Sequence, residues 1–163
     1  MGETIMRRAR SLSPGERELI FAHVSKLNEC NFCYKSHTAC ASEFLDPTIV
    51  AGVIQRRDFS ELSPKMQALL NVAGAVQALN REALPRAVQG AKLAGANDQE
   101  VHDTVLVASF ASMCNRYVDG LGTTFQHGEP EQGGRSLHKY GYLFGVRRFI
   151  GEVLPKLWAN FWK

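Results

Sequence analysis

What most constrains the fold of this chain is a recurring helix-start signature, set against the absence of any segment that alternates apolar and polar residues as a strand would. Ser13-Pro14-Gly15-Glu16 combines a capping box with proline at the first helical position, so a helix is expected from Pro14, with Leu19, Ile20, Val24 and Leu27 as its apolar stripe. Leu27-Asn28-Glu29 reads as a break, with Asn28 the cap of a second helix running to about Leu45. Asp46-Pro47 caps a short third helix through Ile49, Val50 and Val53. Ser63-Pro64 opens a fourth, in which Leu69, Leu70, Ala73 and Val76 face a core. Pro85 starts a fifth that Gly95 ends. Asn97-Asp98-Gln99-Glu100 is another capping box, opening a long apolar helix to about Val118 that Gly120 and Gly122 stop. The expectation is an all-α chain, a helical bundle. Leu12-Ser13-Pro14 returns as Leu62-Ser63-Pro64, which two helical halves of similar design would explain, as would common capping chemistry.

A length of 163 residues suits one domain able to bury a core without staples. Hydrophobic residues at 45% and charged residues at 21% exclude a disordered, collagenous or coiled-coil chain. A net charge of +3 is too small to imply a nucleic-acid surface. Arg7, Arg8 and Arg10 are followed by polar residues from Ser11 to Arg17, which argues against a secretory or twin-arginine signal. The longest apolar stretch, Val105 to Cys114, contains two serines and is too short to span a bilayer. A soluble, cytoplasmic protein with no nucleic-acid partner is the expectation.

Thr123 to Arg135 holds Gly128, Pro130 and Gly133-Gly134 and reads as a loop or linker. It divides a helical domain over residues 1–122 from a C-terminal helical extension of the same unit over 123–163. The tail from Tyr140 to Lys163 carries Tyr142, Phe144, Phe149, Trp158, Phe161 and Trp162, with Arg147, Arg148 and Lys156 between them. Pro155 and Glu152 interrupt any clean basic amphipathic face, so a helix docked on this subunit or a neighbour is preferred to a membrane-surface helix.

Four cysteines do not make a disulfide scaffold, yet Cys30, Cys33 and Cys40 fall within one short stretch. On one helix Cys30, Cys33 and His37 share an arc of roughly 60°, and Cys40, Ala41 and Phe44 extend that stripe toward the interior. His37 follows Cys33 by one turn and is placed to reach it directly or through one water. Cys30 lies in the first turn, where unpaired amides favour a thiolate. On an unbroken helix Glu18 would be about 18 Å from Cys30 along the axis. With a turn at Asn28 and antiparallel packing, Glu18 and His37 come level. A carboxylate beside His37 would hold its tautomer and help it take a proton from Cys33.

The spacing Glu18, Cys30, Cys33, His37 resembles the glutamate–CxxC–histidine signature of alkylhydroperoxidase D-like proteins, within the carboxymuconolactone decarboxylase superfamily. The run Leu12 to Ile20, then Val24-Ser25, Leu27-Asn28, His37-Thr38 and Asn115 to Gly122, is similar to its peroxidase-related branch. The resemblance covers about residues 11 to 122 and implies an all-helical homo-oligomer, a trimer or a hexamer made of trimers. It implies that Cys33 attacks a hydroperoxide and becomes a sulfenic acid, that Cys30 resolves it as a disulfide, and that Glu18 and His37 relay the proton. An unknown dithiol or protein reductant would restore both thiols in an antioxidant cycle, with no cofactor beyond the dithiol. Phe32 stands where the best-known members carry a histidine between the cysteines.

Other readings compete. Cys30, Cys33, His37 and either Glu18 or Cys40 could hold zinc, but structural zinc draws ligand pairs from separate segments and no second pair exists. A c-type haem needs histidine directly after the second cysteine, where Tyr34 stands. Three small core cysteines would leave His37 and Glu18 on a buried face without purpose. Lactone decarboxylation does not call for a dithiol, whereas disulfide oxidoreductase or redox-sensor chemistry would use the same residues. Elsewhere, Cys40 and Cys114 read as core residues and His23 as a tolerated histidine able to approach the site. His102 and Asp103 read as capping or interface groups, Arg116 and Asp119 as a structural pair, and His127 and His138 carry no pattern.

Overall fold

The computed structural model describes residues 1–8, 11–123 and 130–143. Among them every regular element is helical. A short α1 (Gly2–Met6) precedes α2 (Pro14–Leu27), α3 (Asn31–Ser42), α4 (Pro47–Ala51), α5 (Pro64–Gln77), α6 (Ala83–Leu93), α7 (Asp98–Gly120) and α8 (Pro130–Tyr140). A π-turn at Gly52–Arg56 extends α4, and a 3₁₀ turn at Gly141–Leu143 follows α8.

Both capping boxes form as the sequence predicts. Ser13 Oγ accepts from the Glu16 amide at 3.2 Å while Glu16 Oε2 takes the Ser13 amide at 2.8 Å. Asn97 and Glu100 reciprocate in the same way at the start of α7. The helix α2 is the centre of the bundle. Every residue from Arg17 to Ser25 is buried, so it lies encased by α3, α5 and α7 rather than showing a polar face to water. Arg17 fastens the incoming chain by donating to the carbonyls of Arg8 and Leu12.

Four expectations change. Asn28 closes α2 instead of capping α3. The Cys30 amide reaches the Ser25 carbonyl at 3.1 Å and the Glu29 amide reaches Lys26 at 3.2 Å, with Glu29 at φ 60°. That is a Schellman ending, and it reverses the chain so sharply that Cys30 itself becomes the N-cap of α3. The α3 helix also ends at Ser42, short of Leu45. The fifth predicted helix begins at Ala83, with Pro85 in its first turn, where its missing N–H costs nothing.

The fourth change is α8, which occupies part of the stretch read as a loop. Both glycines lie within the helix instead of making a turn, and Gly134 permits a close approach. A Cβ on Gly134 would lie 2.4 Å from Ala39 Cβ and 2.6 Å from the Cys40 amide nitrogen, so α8 rests directly on the α3 backbone. The recurring Leu-Ser-Pro has a structural counterpart as well. Helices α2 and α5 each run 14 residues from a serine cap. Each ends with a non-glycine residue in the left-handed region, Glu29 or Leu79.

Candidate active site

The reversal at residues 28–30 lays α3 antiparallel against α2, and this brings Glu18 and His37 level. Glu18 Oε2 and His37 Nδ1 are 2.6 Å apart, both side chains buried. Phe21, one turn along α2 from Glu18, stacks on the imidazole with ring centroids 3.6 Å apart and planes 18° from parallel. The other carboxylate oxygen, Oε1, meets Arg7 Nη1 at 2.6 Å and accepts from the Tyr142 hydroxyl at 3.2 Å. Burial alone would lift the Glu18 carboxyl. His37 and then Arg7 outweigh that burial and hold it below the usual carboxylate range. Tyr142 is raised well above an ordinary phenol, by burial first and the Glu18 charge second, and so stays a hydroxyl donor.

The two cysteines lie at the start of α3, Cys30 with no exposure and Cys33 nearly so. Burial pushes the Cys30 thiol up to about 12; the Cys33 amide counters this in part, while the nearby Asp119 carboxylate adds to it. Burial also raises Cys33, against the pull of the Cys30 and Asn115 side chains. The thiolate expected from the helix start is therefore not favoured in the resting protein, because desolvation outweighs the amide. Asn115 belongs to a buried polar chain: it donates to Ser25 Oγ at 2.9 Å and accepts from Asn28 Nδ2 at 2.9 Å, and Asn28 accepts from Gln77 at 2.8 Å.

No family model and no curated protein matches the chain. Among solved structures it is similar to an uncharacterized peroxidase-related protein from Silicibacter sp. TM1040, with a TM-score of 0.69 and 24% identity over 75% of this chain. The match spans 64% of that protein, less than two thirds of its length. It is also similar to the alkylhydroperoxidase AhpD core of an uncharacterized peroxidase-related protein from Ralstonia eutropha JMP134, with a TM-score of 0.70 and 24% identity over 82% of this chain and 70% of that one. The chain has the alkylhydroperoxidase D-like fold.

Within this alkylhydroperoxidase D-like bundle the four residues singled out from the sequence fall into two groups. Glu18 pairs with His37, and Cys30 sits beside Cys33. No hydrogen bond joins His37 to Cys33 among the described residues, although one helical turn separates them. Nor do three His, Cys, Asp or Glu side chains converge as metal ligands there. Sequence reasoning missed Arg7 and Tyr142, which come from opposite ends of the chain and share no spacing with the motif. Asn115 enters the sequence reading only within the run Asn115 to Gly122, and Asp119 only there and as the expected partner of Arg116.

Several smaller readings change too. Cys40 is buried as expected, but Arg7 Nη2 lies 3.4 Å from its sulfur. Arg116 donates to the Ser112 carbonyl at 3.1 Å, and among the described residues it makes no ion pair with Asp119. His23 faces Phe59 edge-on at 5.6 Å and does not reach the site; burial, with Arg57 nearby, pushes it down to about 4. Asp103 is a buried anchor that accepts from Gln99 Nε2 at 2.8 Å. His138 packs on Phe44, while His127 lies outside the described residues. Of the aromatic tail, Tyr142 docks on its own subunit, and the rest beyond Leu143 lies outside the described residues. No helix among the described residues is long and apolar enough to cross a membrane.

Proposed function

We propose that this protein is a peroxidase-like oxidoreductase that reduces organic hydroperoxides through the Cys33–Cys30 dithiol. The observation that carries the reading is the 2.6 Å contact between Glu18 Oε2 and His37 Nδ1, one helical turn from a CxxC pair. A carboxylate on Nδ1 fixes that nitrogen as the donor and leaves Nε2 as the ring's basic atom. Burial holds the Cys33 proton on the sulfur, so a base within reach is what the reaction requires. His37 takes the Cys33 proton. The thiolate attacks the terminal peroxide oxygen, the O–O bond breaks, and the alkoxide leaves as alcohol with that proton. Cys33 is now a sulfenic acid. The Cys30 thiol displaces its hydroxyl as water, giving the Cys30–Cys33 disulfide. An external dithiol or protein reductant supplies the two electrons that restore both thiols, and assembly as a homo-oligomer belongs to the same proposal. Phe32 offers no second imidazole between the cysteines, so the proton relay runs through His37.

The test is a free-thiol count and intact mass before and after one equivalent of tert-butyl hydroperoxide. Loss of two thiols and about two mass units, located to Cys30 and Cys33, is expected. Cys30→Ser should stall after one oxidation with a trappable sulfenic acid, and Cys33→Ser should not react at this pair. Unchanged thiols in the wild-type chain would remove the peroxidase reading. Disulfide exchange in the absence of peroxide consumption would move the same pair to disulfide oxidoreductase chemistry.

A further inference from the structure

A buried carboxylate needs a countercharge, and Glu18 touches two groups able to supply one. Arg7 Nη1 is 2.6 Å from Oε1, and His37 Nδ1 is 2.6 Å from Oε2. The two differ in kind. A guanidinium does not give up its proton in a protein, whereas an imidazole gains or loses its second proton between about pH 5 and 8. With Arg7 in place, one buried negative charge already faces one fixed positive charge. Charging His37 as well would leave a surplus cation stacked on Phe21 and beside Tyr142.

The remaining groups around the pair do not alter that count. From α1, Glu3 directs its carboxylate to the Tyr142 amide at 2.8 Å. From α3, Cys40 and Cys33 are thiols that burial keeps protonated. From the 3₁₀ turn, the Tyr142 hydroxyl lies 3.2 Å from Glu18 Oε1 and 3.4 Å from His37 Nδ1 and keeps its proton. Among the described residues Arg7 is the fixed cation in contact with Glu18. It is held there from several sides: Nη2 donates to the Leu137 carbonyl at 3.2 Å, Nη1 to the Met6 carbonyl at 3.1 Å, and its guanidinium lies 5.2 Å from the Tyr142 ring centre.

The geometry points to Arg7 as a positioning residue that supplies the countercharge of Glu18 and so leaves His37 neutral, with Nε2 free to act as a base toward the thiol pair. This role rests on the relay proposed above and adds to it a residue that touches neither Cys30 nor Cys33. Arg7 acts through Glu18. The carboxylate takes its fixed charge partner from the guanidinium at Oε1 and holds the His37 ring through Nδ1 at Oε2.

The experiment is ring-nitrogen NMR of His37 against pH in nitrogen-15-labelled wild type, Arg7→Met and Arg7→Lys, with the pH profile of Cys33 alkylation by iodoacetamide measured in parallel. At neutral pH the wild-type ring should carry its proton on Nδ1 alone. In Arg7→Met the buried carboxylate is left with His37 as its nearest cation donor, so the ring nitrogens and the alkylation profile should both respond at higher pH than in wild type. Arg7→Lys retains a charge without the planar fork, so it should stay close to wild type. Arg7→Gln, which keeps an amide donor, takes the place of Arg7→Met should that variant fail to fold. A scaffolding role alone would weaken stability in the Met and Lys variants alike and leave the ring titration where it was. That outcome, a Lys variant that moves as far as Met, or a wild-type ring doubly protonated at neutral pH, would overturn the inference. None of these readouts uses peroxide. A chain inert to tert-butyl hydroperoxide would therefore sink the peroxidase reading alone, and an unmoved ring in a chain that still loses both thiols would sink the Arg7 role alone.

Discussion

The helix pairs α2–α3 and α5–α6 stand fifty residues apart on one design, but only the first carries a buried carboxylate, imidazole and thiol pair. Each opens on Leu-Ser-Pro and a serine cap, and each first helix ends in the same left-handed reversal, at Glu29 and at Leu79. At the positions of Glu18, Cys30, Cys33 and His37 the second pair has Ala68, Asn80, Ala83 and Ala87. Burial diverges with them. Helix α3 buries Cys33, Ser36, His37, Cys40 and Ala41, whereas α6 buries only Ala91. The frame thus forms without the polar residues. Those in the first pair are tolerated only because α1, α8 and Tyr142 come in to satisfy and cover them.

Giving the first pair a residue of the second tests that difference most severely. Glu18→Ala should cost roughly 3–5 kcal/mol, because it strands the Arg7 guanidinium in a largely buried site. Urea unfolding measures it, and a loss under about 1 kcal/mol would mean that Arg7 finds water instead.

The two buried histidines sharpen the comparison next. His37 has a carboxylate partner; His23, with Ala73 as its counterpart, has no hydrogen bond among the described residues and is pushed down to about 4 from its ordinary 6.5. Between those two values the unfolded chain binds a proton that the folded chain refuses. Stability therefore falls as pH drops through this window, by roughly 3 kcal/mol in all, and the loss is complete below pH 4. Comparing urea midpoints of wild type and His23→Gln at pH 7 and 4.5 isolates this contribution; parallel loss in both proteins would refute it.

The cover over α3 is the third target. Gly134→Ala would normally gain up to about 1 kcal/mol in a helix. The contact with the Cys40 amide nitrogen at 2.6 Å reverses the sign, and a net loss of about 1–3 kcal/mol is expected as α8 lifts. Gly90→Ala on α6, where nothing lies within 4 Å of the added atom, should instead be neutral or stabilising. Equal effects at the two glycines would erase the distinction between the pairs. The smallest loss is expected for Tyr142→Phe, which removes one hydroxyl donor at 3.2 Å from a carboxylate that keeps Arg7 and His37, and should cost about 0.5–1.5 kcal/mol. Thermal melts resolve it, and an unchanged midpoint would leave Tyr142 as packing only.

Much of this was legible in the sequence where the signal is local. Serine caps, prolines at the first helical position and the capping boxes act over three or four residues, so the starts of α2, α4, α5 and α7 were readable. The level placement of Glu18 and His37 followed from one break in the chain. The break itself was misassigned, because asparagine serves either end of a helix and the left-handed residue was glutamate rather than glycine. The α8 helix was hidden for a related reason. Glycine pairs announce turns in a sequence, and only the facing Ala39 and Cys40 show that Gly134 serves contact. Arg7 and Tyr142 were not legible at all, since nothing in local spacing tells residue 7 that it will meet residue 18, and residue 142 that it will meet both.

That last meeting has a consequence for how the chain matures during synthesis. The motif from Glu18 to His37 is complete early on the ribosome, and α2 and α3 can pair as soon as both have emerged. The Tyr142 cover and the Leu137 carbonyl that helps hold Arg7 arrive more than ninety residues later. Closing a loop of that length costs only modestly more entropy than closing a short one, so the delay is a matter of order and not of thermodynamic difficulty. A nascent chain therefore passes through a stage that has its thiols and its histidine while its carboxylate is still open to water, and the site acquires its final protonation pattern only when the two distant ends of the described chain are brought together.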